Sequence, residues 1–158
     1  MPEGLTLFNT LETQFHLNKP LFQVRQTVTQ SIPNTSPTNV SFDTVIYDSH
    51  GGWNSGASNY TVSVAGWYWV SILVEFQSNA TGVRTCRLNQ NNTGSSLLVH
   101  TMTPNASGNS AGAYLTGPVK CAIGDVIRVE AAQTSGGALG TQVTGGYTSV
   151  FSGDWMHR

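Results

Sequence analysis

The chain has 158 residues, the length of one domain, and only 9% of them are charged; Lys and Arg number seven and Asp and Glu eight. The absence of a basic stretch argues against a nucleic-acid-binding protein, and no apolar stretch reaches the ~20 residues that cross a bilayer. Thr, Ser, Asn and Gln supply 55 residues and Gly another 17. Because these residues disfavour helices and suit strands joined by turns, the composition predicts an all-β protein.

Residues 1–20 differ from the rest of the chain. Leu5, Phe8, Leu11 and Phe15 recur at intervals of three and four residues, which predicts a short amphipathic helix or docking arm. A helix this short is marginal in water, so its apolar face needs a surface to dock on. That surface is either the chain's own domain and oligomer neighbours or a larger assembly. We expect residues 21–158 to form the folded domain.

The N-terminus has neither a cationic region nor an unbroken apolar one, as a secretory signal would. We therefore expect the protein to be made in a cytoplasm and kept there, or released by lysis or assembly. No metal or other cofactor is predicted, because no Cys or His pair has ligand spacing. Cys86 is expected to be a small buried hydrophobic residue; a disulfide to Cys121 would need an oxidising compartment.

From residue 22 onward, short strand-like runs alternate with clusters of turn residues. Many short strands at this spacing indicate a sandwich or barrel. Loops are predicted at 32–39 and 49–58. The predicted strands are 22–30, 40–47, 60–64, 67–76, 83–89, 97–102, 113–119, 125–132 and 142–151.

The predicted strand 67–76 is apolar on both faces. Its even positions are all apolar, and its odd positions include Trp67, Trp69 and Leu73. A two-sheet sandwich buries only one face of each sheet, so the second face needs a cover. Another copy of the chain is the most economical cover, and the chain's own loops or residues 1–20 are the alternative. The predicted core comprises Tyr68, Val70, Ile72, Val74, Phe76, Ile127, Val129 and Phe151.

Four motifs in order resemble those of C1q/TNF-like domains. The run Tyr60–Val70 is similar to their strand–Gly–aromatic–Tyr–aromatic signature, and Val40–Asp43 to an early V-x-F-D strand. Gly124–Val129 resembles a G-D-x-V turn and strand, and Ser149–Trp155 a closing F-S-G strand. The resemblance implies a jelly-roll β-sandwich of about ten strands that assembles as a homotrimer.

The chain lacks the collagen stalk of animal C1q-like proteins and is more similar to small C1q/TNF-like proteins of bacteriophages. That resemblance implies a non-enzymatic structural protein of the virion, located in the particle and held on the capsid or tail by residues 1–20. The alternative function is a host-surface or glycan-binding module of the phage tail or fibre. Some relatives bind calcium, which makes Asp125 a candidate ligand, but the residues favour a turn-forming role because no acidic cluster surrounds it.

A possible ligand loop lies between the predicted strands, at 48–59. Trp53 has the exposed aromatic character of sugar-contacting residues, with His50 and Asn54 able to bond hydroxyls. The same residues would also suit a subunit contact. Asp48, Ser49 and His50 are consecutive and cannot converge as a catalytic triad, so we predict no enzyme activity.

Overall fold

The computed structural model describes residues 19–105, 110–146 and 148–158. These residues confirm the all-β prediction, and none of them belongs to a helix that could cross a membrane. They form thirteen strands, of which five span only two or three residues. The strands are β1 (Leu21–Arg25), β2 (Ser31–Ile32), β3 (Thr38–Asn39), β4 (Thr44–Asp48), β5 (Trp53–Asn54), β6 (Asn59–Thr61), β7 (Gly66–Phe76), β8 (Arg84–Gln90), β9 (Ser96–Met102), β10 (Ala111–Cys121), β11 (Val126–Gln133), β12 (Leu139–Gly140) and β13 (Val150–His157).

Two antiparallel sheets pack face to face. The first has the strand order β10-β7-β13-β1-β4, and the second has β5-β6-β11-β8-β9 with β3 also paired to β11. A further short pair joins β12 to β2. Because strands distant in sequence are neighbours in both sheets, the topology is that of a jelly roll.

The core fills the space between the two sheets. All eight side chains that the sequence placed in the core are buried. At its centre, the ring of Phe22 stacks on Tyr60 with centroids 4.0 Å apart and meets Phe151 edge-on at 5.0 Å. Cys86 and Cys121 are free and buried, and burial raises the pKa of both thiols to about 12. Both cysteines therefore stay protonated and act as packing residues.

Four predicted strands differ from the structure. Those at 22–30 and 60–64 end early, at Arg25 and Thr61, and the predicted loops 32–39 and 49–58 contain the short strands β3 and β5. The last strand begins at Val150 rather than at 142, because Gly145 and Gly146 both adopt positive φ and turn the chain. In the predicted strand 40–47, only residues from Thr44 onward form a regular strand. Phe42 is nevertheless fully buried and covers the edge of the core.

The carboxylate of Asp43 fixes the turn that follows β1. It accepts hydrogen bonds from the main-chain nitrogens of Thr27 at 2.8 Å and Val28 at 3.0 Å, and from the hydroxyl of Thr44 at 2.7 Å. Burial raises the pKa of Asp43, but these bonds outweigh it and lower the pKa from 3.8 to about 2.

Because this pKa is depressed on folding, the stabilisation is present above about pH 4 and is lost as pH falls towards 2. We expect Asp43→Asn to be less stable than wild type at pH 7, with the difference shrinking between pH 4 and pH 2 in urea titrations. Asp154→Asn is the control, since its contact with Lys19 is a surface ion pair 3.8 Å long. If the difference in stability between Asp43→Asn and wild type is as large at pH 2 as at pH 7, the ionised Asp43 carboxylate is not the source of the stabilisation.

Candidate functional site

The outward side of the first sheet carries a broad apolar surface. Trp69 is 46% exposed and Tyr114 is 51% exposed, although both lie inside long, regularly paired strands. Exposed apolar patches of this kind mark interaction surfaces. We call this surface the open face and define it by its large side chains, Leu21, Tyr47, Trp67, Trp69, Leu73 and Tyr114.

A row of hydroxyl groups crosses the middle of the open face. Thr116, Ser71 and Ser152 are neighbours on three adjacent strands. The hydroxyls of Ser71 and Thr116 lie 3.1 Å apart, and Thr116 also donates to a main-chain carbonyl of β7 at 2.8 Å. Since these hydroxyls have partners within the sheet, another surface can cover them without leaving bare polar groups.

Charged side chains lie around the apolar residues of the open face. Lys120 is directly opposite Trp67, and its ammonium is 6.0 Å from the centroid of the indole ring. Trp67 is therefore partly covered by Lys120 of its own chain and is half-buried, whereas Trp69 is exposed. Of the three predicted interface residues, Trp69 is the most exposed; Leu73 is half-buried beside Tyr114.

The chain enters the domain beside the last strand. Pro20 accepts a hydrogen bond from the main-chain nitrogen of Trp155 at 2.9 Å, and Lys19 accepts one from the Ser49 hydroxyl at 3.0 Å. We call this end of the sandwich, where residues 19–21, 48–53 and 121–126 lie, the near end. The predicted arm residues Leu5, Phe8, Leu11 and Phe15 lie outside the described residues.

Trp53 is packed against the core rather than displayed in a ligand loop. Its ring lies 6.2 Å from that of Phe42 and 6.1 Å from that of Phe151, both edge-on. The expectation of a free aromatic ring at the surface is therefore not met. Asn54 is exposed, and its side-chain oxygen accepts a bond from the nitrogen of Ala57 at 3.1 Å within a turn.

The polar residues beside Trp53 hold the main chain. The Ser49 hydroxyl contacts His50 Nδ1 at 2.9 Å, but it also donates to Lys19 and accepts from the nitrogen of Leu21. The carboxylate of Asp48 accepts main-chain bonds from His50 and Trp53, at 3.2 and 2.8 Å. Because Asp48 bonds main-chain nitrogens and the hydroxyl is held by the chain, this trio lacks the arrangement of a nucleophile, base and orienting acid.

We expect Trp53→Ala to lower the free energy of unfolding by about 3 kcal/mol, the lower end of the range for buried aromatics, because the ring is only partly buried. Urea denaturation followed by circular dichroism measures the change. His50→Ala is the matched control from the same loop and should have a small effect. Equal stability of Trp53→Ala and wild type would show that the ring contributes little to the core.

Asp125 stabilises the turn before β11. Its oxygens accept bonds from Gln90 Nε2 at 2.6 Å, the Ala122 nitrogen at 2.7 Å and Asn91 Nδ2 at 2.8 Å. The bond from Asn91, together with the others, lowers the pKa of this carboxyl. Within the described ranges, no group of three or more His, Cys, Asp and Glu side chains is placed to hold a metal ion. The geometry is that of a turn residue.

Comparisons with known proteins identify structural relatives only. No family model matches the sequence, and no curated protein matches it. The globular domain of zebrafish complement 1qA is similar with a TM-score of 0.66 and 19% identity, over 89% of this chain and 99% of that one.

Two further solved structures are similar to the chain. Murine APRIL has a TM-score of 0.65 and 13% identity, over 87% of this chain and 99% of that one. The Eiger TNF of S. frugiperda has a TM-score of 0.60 and 11% identity, over 89% and 93%. At these identities the likeness concerns the fold alone, and it shows that the chain adopts the C1q/TNF-like jelly roll.

Proposed function

We propose that the protein is a non-enzymatic structural component of a bacteriophage virion that assembles as a homotrimer through the open face. The observation that carries the proposal is the exposure of Trp69 and Tyr114 on a sheet whose other side already faces the core. Aromatic residues are enriched at the centres of protein interfaces. A second copy of the chain is the partner that is always present at matching concentration.

A three-fold ring requires two different patches on each chain, because its contacts are heterologous. The second patch is Leu97 and Val99 on β9, which are 45% and 53% exposed. Strand β9 is the edge of the second sheet and lies next to β10. We assign the contact to this edge of one copy and the open face of the next.

The virion assignment rests on composition and on the resemblance to small phage proteins. A surface rich in Thr, Ser, Asn and Gly and poor in charge is common among virion surface proteins. In this proposal residues 1–20 attach the trimer to the capsid or tail, and they do so from the near end, where the chain enters β1. No nucleic acid and no membrane is a partner.

Light scattering coupled to size-exclusion chromatography tests the assembly. We expect a mass three times the 16.9 kDa of the chain, and a stable monomer would overturn the trimer. Deletion of residues 1–20 should leave this mass ratio intact but prevent incorporation into phage particles, measured by mass spectrometry of purified particles. Incorporation of the truncated chain would show that another surface makes the attachment.

A further inference from the structure

Two loops, residues 77–83 and 134–140, lie side by side at the end of the sandwich opposite the near end, and we call the surface that they form the far end. Its first loop is held by Arg84, which is fully buried. The guanidinium donates to the carbonyls of Asn79 at 2.8 Å, Thr81 at 2.9 Å and Val83 at 3.1 Å. Both ion pairs between described side chains lie elsewhere, so the charge of Arg84 serves the loop carbonyls.

Gln133, also buried, organises the second loop. Its Nε2 donates to the carbonyl of Gly137 at 2.8 Å, and its Oε1 accepts from the nitrogen of Ser135 at 2.6 Å. Asn34 adds a third tie, because its side-chain oxygen accepts from the nitrogen of Gly136 at 3.0 Å. Burying a polar side chain is costly unless it is bonded, and here the bonds are made to a loop that faces solvent.

The two loops are also joined to each other. Thr134 donates from its nitrogen to the carbonyl of Val83 at 3.1 Å, and its hydroxyl accepts from the nitrogen of Val83 at 2.9 Å. The main-chain nitrogen of Gln77 donates to the carbonyl of Gly140 at 2.9 Å. At Gly82 a Cβ atom would lie 1.9 Å from the Thr134 carbonyl oxygen, so only glycine allows this contact. The far end is therefore one fixed surface.

The chemistry of this surface is uncharged and polar. Residues 77–83 and 134–140 include no Asp, Glu, Lys or Arg, and Gln77, Ser78, Thr81 and Thr134 are exposed. None of the exposed large apolar side chains among the described residues belongs to these loops. Such a surface offers no attraction to polyanions and no apolar anchor for a protein, but its amides and hydroxyls can bond the hydroxyl groups of a neutral sugar.

We propose that the far end is a preorganised binding surface for a neutral glycan. Because Arg84, Gln133 and Asn34 already hold the loops, little conformational entropy is lost in ordering them when a ligand binds. The single-site interaction rests on this chain alone, and only its strengthening by avidity rests on the proposed trimer. The three far ends of a cyclic trimer are equivalent, so a multivalent glycan that engages more than one of them binds more tightly.

The test is a printed panel of neutral, sialylated and sulfated oligosaccharides, probed with labelled full-length protein. We expect binding to neutral members and about tenfold weaker binding by Ser78→Ala/Thr81→Ala. The matched control is Asn54→Ala/Ser55→Ala in the exposed turn between β5 and β6, which should bind as wild type. Binding to no neutral member, preference for the anionic members, or weakening by this control alone would each overturn the proposal.

Asn34→Ala tests preorganisation, because Asn34 acts by positioning Gly136. We expect several-fold weaker binding of the best neutral oligosaccharide in solution and faster hydrogen exchange at the Gly136 amide, both restored by Asn34→Asp, which keeps the acceptor. Faster exchange without loss of binding would overturn the positioning role. Since the soluble ligand is monovalent and the mass is measured separately, failure of glycan binding and failure of the trimer are distinguishable.

Discussion

Replacing Trp69 by Glu is expected to convert the proposed trimer into a folded monomer of 16.9 kDa. The ring lies on the open face, while the core beneath the same strand is made by its even positions, including Val70 and Ile72. A carboxylate at this place would be taken out of water by the partner and would lie directly opposite the carboxylate of Asp154 on the neighbouring strand, which is strongly unfavourable. Light scattering gives the mass, and circular dichroism shows whether the β structure remains.

Ile123→Glu provides the control for a charge placed at an exposed apolar site. Ile123 is 71% exposed in the turn before β11 and lies outside the open face, so this variant should keep the mass of the wild type. Tyr114→Glu, on the neighbouring strand, should dissociate the trimer as Trp69→Glu does. A trimer that survives both substitutions would remove the open face as the interface.

Phe22→Ala is expected to lower the free energy of unfolding by about 3–5 kcal/mol. The ring is fully buried, stacks on Tyr60 at a centroid distance of 4.0 Å and contacts Phe151 edge-on. Domains are stable by only about 5–15 kcal/mol, so this loss is a large part of the total. Urea denaturation measures it. Leu21→Ala, on the preceding residue but with its side chain on the open face, should cost far less in the dissociated Trp69→Glu background.

Gly153 lies directly opposite Phe22 and provides a second test of the packing around the Phe22 ring. A Cβ at Gly153 would lie 2.4 Å from a ring carbon of Phe22, which is held by its own neighbours. Gly153→Ala should therefore destabilise the wild type and cost less in the Phe22→Ala background, where there is space for the methyl group. Strictly additive effects would show that the two positions do not compete for space.

The fold was accessible from the sequence where a strand is long and regular. The alternation over 67–76 predicted both the strand and its two apolar faces, because side chains of a strand point to opposite sides with a period of two. Trp69 was found in this way. The final strand was predicted too early, since residues 142–149 carry β-branched residues but also the two glycines that turn the chain.

Other members of the open face were missed because they depend on strand pairing. Tyr114 is a single aromatic on a strand interrupted by Gly112, Gly117 and Pro118, and only its register places it beside Leu73, on the same outward side of the sheet as Trp69. The far-end loops were missed for the same reason, as they meet through contacts between distant segments. Trp53 was misread because a tryptophan among Gly, Ser and Asn has the same local pattern whether its ring faces solvent or the core.

The side chains on the two faces of strand β7 are under different evolutionary constraints. Its even side chains fill the core and are constrained by the need to fold. Its odd side chains, which include Trp69 and Leu73, lie outside the core and are constrained by cross-strand neighbours and by what the outward side meets. Mutation can therefore change the odd positions, and with them the identity of the copies that associate in the proposed trimer, while each domain keeps its stability; related chains can thus diverge into assemblies that do not mix.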